Sequence, residues 1–559
     1  LILEAHAAGH RAVRIPPGTY RLAAAAGAGP CLQFSGLRDL VIDASGVTFL
    51  CGERRKVTLV FEDCERVVLR GAVFRHDPVP FSQGTVVALD PERKYVDVRV
   101  DRGYPSDLDD EELFFGGHGM MINLFDPRTR EFKRDTADVG FERLERLGPD
   151  VFRFHLPGAW SAGFPMAVGD LAAWRGRLSA DVFLNRCAEM RMEDLVFLSA
   201  SGFCIHENGG EGGNFYRYAV RRGPVPEGAS EAPLLSANAD AFHSSNVRRG
   251  PVLEGCHFEH MDDDGIPIHG TYAMILAADA GRLVLAARSR DYLREGDVLR
   301  IYDPSGAETG AAEVRRVRKL KDYSPPQPPP KAFRLYQDPG SLTYLEVELD
   351  HSVPAEFSGL ASNASAQGNG FVIRNCVIRN HRARGMLIKA GDGLIENCLV
   401  EGSTMGGIVL SPEMTYWNEA DYARNVVIRN TTIRDVGIWR QSWNPMAGAL
   451  TIAAFEHDRF VPRPGGHRGI LVENCRFENN DGPNVVISSA EDVLLRNNVF
   501  AQAMRREAPR GSKRGVEEGV LVWVTESRQV RVEGSTVENP GPCLRSDLRT
   551  TATVQDAAP

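Results

Sequence analysis

Long apolar runs are missing from this 559-residue chain. No stretch reaches the roughly eighteen apolar residues that a membrane-spanning helix needs. Positive charge is in deficit: 65 Lys and Arg against 74 Asp and Glu leave a net charge of −9. That argues against a nucleic-acid backbone or an anionic membrane surface as partner, and a neutral or weakly charged ligand suits it better. There is no CxxC pair and no His-rich tract, so a zinc centre is not expected. Ten cysteines are too few for a disulfide framework in a chain this long. Five of them, Cys187, Cys256, Cys376, Cys398 and Cys475, recur at similar places in repeats and are expected to be small buried residues. The first residues, from Leu1, show no basic segment followed by an apolar one. Secretion or a periplasmic location is expected, with the signal peptide lying outside this chain.

What the chain does have is a repeat. Phe371-Val-Ile-Arg-Asn-Cys-Val-Ile-Arg-Asn380 matches Gly393-Leu-Ile-Glu-Asn-Cys-Leu-Val-Glu-Gly402, and related segments begin at Asn425, Gly469 and Val493. The shared Asn falls at 375, 397, 430, 474 and 497. Short runs of Val, Ile and Leu on a period of about twenty-two residues read as strands of a coil, because each repeat can bury its apolar face only against its neighbours. An Asn at a fixed turn tolerates left-handed backbone and can form a side-chain ladder. The Leu pattern of leucine-rich repeats is absent. The expected fold is therefore all-β, a right-handed parallel β-helix. Two stretches without the period carry alternating strand patterns, and they are expected to be small inserted antiparallel β-barrels. The organisation expected is residues 1–76 as N-terminal rungs, 77–178 as the first insertion and 179–270 as rungs with acidic motifs. Residues 271–354 form the second insertion, 355–546 the C-terminal rungs and 547–559 a disordered tail.

The acidic motifs sit in the middle rungs. Asn238-Ala239-Asp240 precedes Asp262-Asp263-Asp264, and Asp240 lies twenty-three residues before Asp263. Aligning the small residues Gly202, Ala241, Gly265, Gly385 and Gly407 that open each strand puts Asp240, Asp264 and Arg384 in one column. It puts His206, Ser245, His269, Lys389 and Ser411 in another. Adjacent rungs are roughly 4.8 Å apart. Asp240 and Asp264 are thus expected side by side, close enough to hold a water and to raise at least one pKa. Asp263 is expected as a solvent-facing turn residue, replaceable at little cost in stability. One protonated acid and a carboxylate pair holding water are what inverting glycoside hydrolysis uses. Asn238, His269, Arg384, Lys389, Glu207, Glu413 and Trp417 are the candidate substrate-binding residues. No metal site is expected, although acids beside Arg384 also suit a calcium-dependent polysaccharide lyase, and a glycan-binding β-helix without catalysis is a third reading.

Two family resemblances follow from these motifs. Asn-x-Asp followed one rung later by Asp-Asp resembles the polygalacturonase-type glycoside hydrolases of family 28, but the Gly-His-Gly that follows there is missing here. The chain resembles glycoside hydrolase family 110, the α-1,3-galactosidases, over nearly its whole length. The shared features are Pro16-Pro-Gly-Thr-Tyr20, two inserted barrels, Asp240-Ala-Phe-His-Ser244, His260-Met-Asp-Asp-Asp-Gly265 and the region from Asn375 through His381-Arg-Ala-Arg-Gly385. That resemblance implies an exo-acting, inverting enzyme that removes terminal α-1,3-linked galactose without a cofactor. Asp263 would be its general acid, and Asp240 and Asp264 would position water. The partner implied is a carbohydrate ending in α-galactose, and a homodimer is left open.

Overall fold

The computed structural model describes every residue except 24–28, 111–113, 115–120, 158–164, 177–178, 290–291, 326, 440–447, 457–458, 462, 508–515, 518 and 551–559. The chain winds as a parallel β-helix. On one face, successive rungs contribute Ser179–Asn185, Gly202–Asn208, Phe242–Ser245, Ile266–Asp279, Met386–Ile388, Ile408–Leu410, Leu450–Ile452 and Val485–Ile487, each paired in parallel with the next. A second face stacks Val252–Glu254, Val372–Arg374, Gly393–Glu396, Arg424–Arg429, His467–Glu473 and Ala490–Arg496 in the same way.

The repeated sequence signals explain this coil. Asn375, Asn397, Asn430, Asn474 and Asn497 all have φ between 50° and 56°, a left-handed turn conformation that Asn accepts more readily than most residues. Asn397 donates to Asn375 Oδ1 at 3.4 Å, one step of the expected ladder. Ile373, Ile395, Ile428, Val472 and Leu495 stack inside, fully or nearly fully buried. Each such side chain contributes about 1.5–3 kcal/mol by leaving water. The five repeat cysteines are buried in the same core. A short helix, Ile2–Ala7, was not anticipated; its Ile2 and Ala5 pack against the end of the core. At the other end Ser546–Thr550 is a strand paired with Val520–Val524, so order extends into the segment expected to be a disordered tail. Its remainder, 551–559, lies outside the described residues.

The first insertion is a seven-stranded antiparallel sheet running from Phe81–Asp90 to Leu171–Arg175 around its own apolar core. Among the described residues its edge strands do not pair to close it. The second insertion does close. Ile266–Asp279 begins as a rung strand and continues outward to pair with Arg282–Ala287, and the ring passes through Thr343–Leu349, Glu308–Leu320 and Val298–Tyr302 to Leu360–Asn363, which pairs back to it. Among the described residues no helix is long and apolar enough to cross a membrane.

Candidate active site

The acids sit just before three stacked strands. Ser244 pairs with Ile268, and Ile266 with Met386, so Asp240, Asp264 and Arg384 do share a column. Each carboxylate in that column is capped from the next rung. The Asp264 backbone N–H donates to Asp240 Oδ1 at 3.1 Å. The Arg384 N–H donates to Asp264 Oδ1 at 2.7 Å, and its guanidinium to Oδ2 at 2.6 Å. Gly265 must be glycine, because a Cβ there would lie 2.3 Å from the Gly385 carbonyl of the next coil.

Asp263 points sideways from this column. Its Oδ1 accepts from Arg382 at 2.8 Å and its Oδ2 from Arg175 at 3.0 Å. Arg175 ends the first insertion, and Arg382 is itself clamped by two bonds to Asp138 of that insertion. Carboxylate oxygens of Asp240, Asp263 and Asp264 lie within 4.8 Å of one another. Asp262 turns away from them, fully buried, and accepts from Asn123 Nδ2 of the first insertion.

The environments split these acids. Burial opposes charge on Asp263, but Arg382, Arg175 and Arg384 outweigh it and hold the carboxyl down at about 2. Burial, helped by the neighbouring carboxylates, raises Asp264 to about 7 against the pull of Arg384. Burial and then Asp263 push Asp240 well above the usual range. Burial likewise brings Asp262 to about 7.

Two histidines extend Asp240. His269 Nδ1 lies 2.6 Å from the Gly270 carbonyl, which can only accept, so Nδ1 carries the hydrogen. Burial lowers His269 to about 4, so it is neutral and its Nε2 is an acceptor. His243 Nε2, 3.0 Å away, must then donate to it. On its other side His243 Nδ1 meets Asp240 Oδ2 at 2.7 Å, with one proton between them. Burial pushes His243 down and Asp240 up, so the proton stays with Asp240. The resting site thus holds a protonated acid, one that titrates near neutrality and a fixed anion, a set able both to give and to take a proton.

The comparisons agree with this architecture. A family model described as "Right handed beta helix region" matches residues 366–555, and one described as "GLAA-B beta-barrel domain I" matches 82–170, the insertion carrying Asn123 and Asp138. An enzyme named Alpha-1,3-galactosidase B from Akkermansia muciniphila is 23% identical over 84% of this chain and 57% of its own length. One named Alpha-1,3-galactosidase A from Bacteroides fragilis is 22% identical over 93% of this chain and 84% of its own. This chain is a relative of the α-1,3-galactosidases. It spans little more than half the length of the Akkermansia relative. Among solved structures, the catalytic domain of a GH87 α-1,3-glucanase aligns with 99% of this chain and 66% of its own, at 10% identity and a TM-score of 0.42.

Within this galactosidase-related chain the structure sorts the other candidates. His269, Arg384 and Lys389 join the acids: Lys389 is buried in an ion pair with Glu419, and Glu419 Oε1 lies 3.7 Å from His269. Burial resists charge on Glu419, but Lys389 holds it ionised. Three candidates fall elsewhere. Glu207 faces the coil interior, since alternation along the strand turns it away from His206, and it accepts from Tyr216, Asn214 and Ser244. Asn238 is fully buried, donating to the Pro80 carbonyl at 2.9 Å. Glu413 caps its own loop through the backbone N–H groups of Tyr416, Trp417 and Asn418. Trp417 is exposed on that loop, its ring against Tyr416.

The far column is also corrected. His206 pairs with His243, and it is Asn208 that aligns with Ser245 and His269. The long connection after Asn208 had hidden a two-residue shift. Sequence reasoning missed Arg175, Arg382, Asp138 and His243, whereas Glu419 is a hydroxyl-binding candidate of the loop that also carries Glu413. Only His243 carried a signal, as the outward residue of Phe242-His-Ser-Ser245. It also missed Phe183 and Phe203, half-buried rings that lie tilted or edge-on to His206 and His243 at 4.7–5.2 Å between centroids.

Proposed function

We propose that this protein is an exo-acting, inverting glycoside hydrolase that releases terminal α-1,3-linked galactose from a glycan, acting outside the cytoplasm. The observation that carries the reading is the set Asp240, Asp263 and Asp264, gathered within 4.8 Å and driven into different protonation states. Kinship to enzymes named α-1,3-galactosidases supports the substrate. Phe183 and Phe203 offer apolar faces beside the acids for the C–H side of a sugar ring. A neutral sugar fits the charge pattern. Arg384 is engaged by Asp264, Lys389 by Glu419, Arg382 by Asp138 and Asp263, and Arg175 by Asp263. A lyase acting on uronates needs cations to receive its substrate, which disfavours that reading.

Inversion is supported by the state of Asp263, the firm anion of the three acids. Both oxygens of Asp263 are tied to guanidinium groups, which makes it a poor nucleophile. Oxygens this close resemble the spacing of a retaining pair, so stereochemistry is the deciding measurement. By family resemblance Asp263 is the acid, with Asp240 and Asp264 holding the water. The resting electrostatics favour a second assignment, in which Asp240 donates the proton and Asp264, which titrates near neutrality, is the base, with Asp263 a fixed charge beside them.

An aryl α-galactoside and a defined α-1,3-galactosyl oligosaccharide, followed by proton NMR, test the activity. β-Galactose should appear first, and first-formed α-galactose would overturn inversion. Asp263→Asn separates the roles. If Asp263 is the acid, the activated aryl substrate is spared relative to the oligosaccharide; if it is the fixed charge, both fall together.

A further inference from the structure

Sulfur contacts recur along the coil, but Cys64–Cys187 and Cys256–Cys376–Cys398 are buried, whereas the pair Cys31 and Cys51 at its N-terminal end has a partly exposed member. The repeat cysteines donate their S–H groups to backbone carbonyls inside the core. Cys31, just before the strand Leu32–Ser35, meets Cys51, the last residue of Val47–Cys51, with its sulfur 3.7 Å from the other. Cys51 is buried and Cys31 is partly exposed. The strand partner of Cys51 is His76. His76 Nε2 lies 2.7 Å from Asp181 Oδ1, and both side chains are 1% exposed. The ring interacts with the Cys51 sulfur both as a hydrogen-bonding group and through its charge. None of these groups serves the acids described above.

The geometry points to Cys31 and Cys51 as a thiol pair that closes into a disulfide when a disulfide-class oxidant reaches Cys31. The charges around it support that chemistry. Burial alone would lower His76, but the Asp181 carboxylate outweighs it and sets the ring at about 10, an imidazolium. Cys51 is drawn down to about 4, first by the S–H of Cys31 donating to it and then, against burial, by His76. Cys31 is raised as the donor of that bond. The pair reacts from the state in which Cys31 donates to a Cys51 thiolate, with one proton and one negative charge; Cys51 can also donate, to the Glu53 carbonyl at 3.5 Å.

The reaction balances as two exchanges. Cys31 passes its proton to Cys51 and attacks the external disulfide, giving a mixed disulfide and one free thiolate. That thiolate takes the proton from Cys51, and the Cys51 sulfur displaces the second half from Cys31. The external disulfide is reduced to one thiol and one thiolate, and the two cysteines are oxidised. The buried imidazolium is the counter-ion that keeps Cys51 in its attacking form. The new bond ties the connection before Leu32 to the strand Val47–Cys51, closing a loop with a sequence separation of 20 residues.

Folded protein treated with oxidised glutathione tests this by peptide mapping without reduction. The expected product is a Cys31–Cys51 cross-link, a loss of about 2 Da reversed by dithiothreitol, with the other eight of the ten thiols unchanged. Cys51→Ser should arrest the reaction with glutathione held on Cys31, and Cys31→Ser should take up none. A mixed disulfide that persists on Cys31 in the unaltered protein, a cross-link elsewhere, or no reaction at Cys31 would each overturn the proposal.

Discussion

Replacing Asp263 by Asn should destabilise the protein, contrary to what a solvent-facing turn residue would do. The side chain is only 25% exposed and bridges two buried guanidinium groups, with Arg175 at 3% and Arg382 at 7%. A carboxyl held at about 2 in the folded chain against an ordinary 3.8 contributes about 2 kcal/mol at neutral pH, at roughly 1.4 kcal/mol per pKa unit. Breaking a buried pair adds the cost of the charge left behind, typically about 3–5 kcal/mol in total. Here Arg382 keeps Asp138, and Arg175 keeps the carbonyls of Asn238 and Asp262. The expected loss is therefore about 2–4 kcal/mol. The sign of its pH dependence is fixed by the lowered pKa. The contribution is complete above the unfolded value near 4 and disappears as pH falls through the folded value near 2. Urea unfolding of both proteins at pH 7, 5 and 3 measures it. The midpoint of Asp263→Asn should lie below that of the parent by a constant margin at pH 7 and 5, and the gap should narrow at pH 3. Equal midpoints at pH 7, or a gap that widens on acidification, would refute the electrostatic account of the site.

Three further outcomes are expected. Asp262→Asn should act in the opposite sense: a carboxyl raised to about 7 by burial costs stability as pH climbs from about 4 to 7, so its removal should gain up to about 4 kcal/mol at pH 8 and little at pH 4.5, read from unfolding midpoints at the two pH values. Glu207→Ala should cost about 3 kcal/mol or more, because Tyr216, Asn214 and Ser244 lose a buried acceptor, while KM of the correctly folded fraction stays unchanged. Phe203→Ala should raise KM for a glycan several-fold with little change in the unfolding midpoint, since the ring is half-buried on the outer face beside His243; an unaltered KM would remove it from the substrate path.

How far the chain could be read without coordinates follows from what each feature depends on. The coil was legible because Asn375, Asn397 and their equivalents mark a turn that few residues accept, and because the apolar runs between them repeat. The column Asp240–Asp264–Arg384 was legible for the same reason: registration in a coil is a count of residues between identical positions. The count failed where a long connection intervened, between Asn208 and Phe242, and there His206 was placed two residues from its true partner. Glu207 was misread because neighbouring residues on a strand face opposite sides, and His206 and Glu207 cannot both face the groove. Arg175 and Asp138 left no trace in the repeat, since they belong to a sheet folded outside it.

A repetitive fold has to make unequal acids out of repeated surroundings. A coil repeats its environment from rung to rung, so two carboxylates stacked in one column begin as equivalents and repel each other. Chemistry that needs a donor and an acceptor requires something to break the equivalence. Here the next rung caps Asp240 with a backbone N–H alone but caps Asp264 with both the N–H and the guanidinium of Arg384. His243, tautomer-locked through His269 by the Gly270 carbonyl, then draws the proton to Asp240. Asp263 is set apart most strongly, and the first insertion helps to do it: Arg175 comes from the end of that insertion, and Arg382 of the coil is braced by its Asp138. The insertion is therefore part of the acid site. Truncating it would take Arg175 from Asp263 and free Arg382 from its brace, even with every rung of the coil intact.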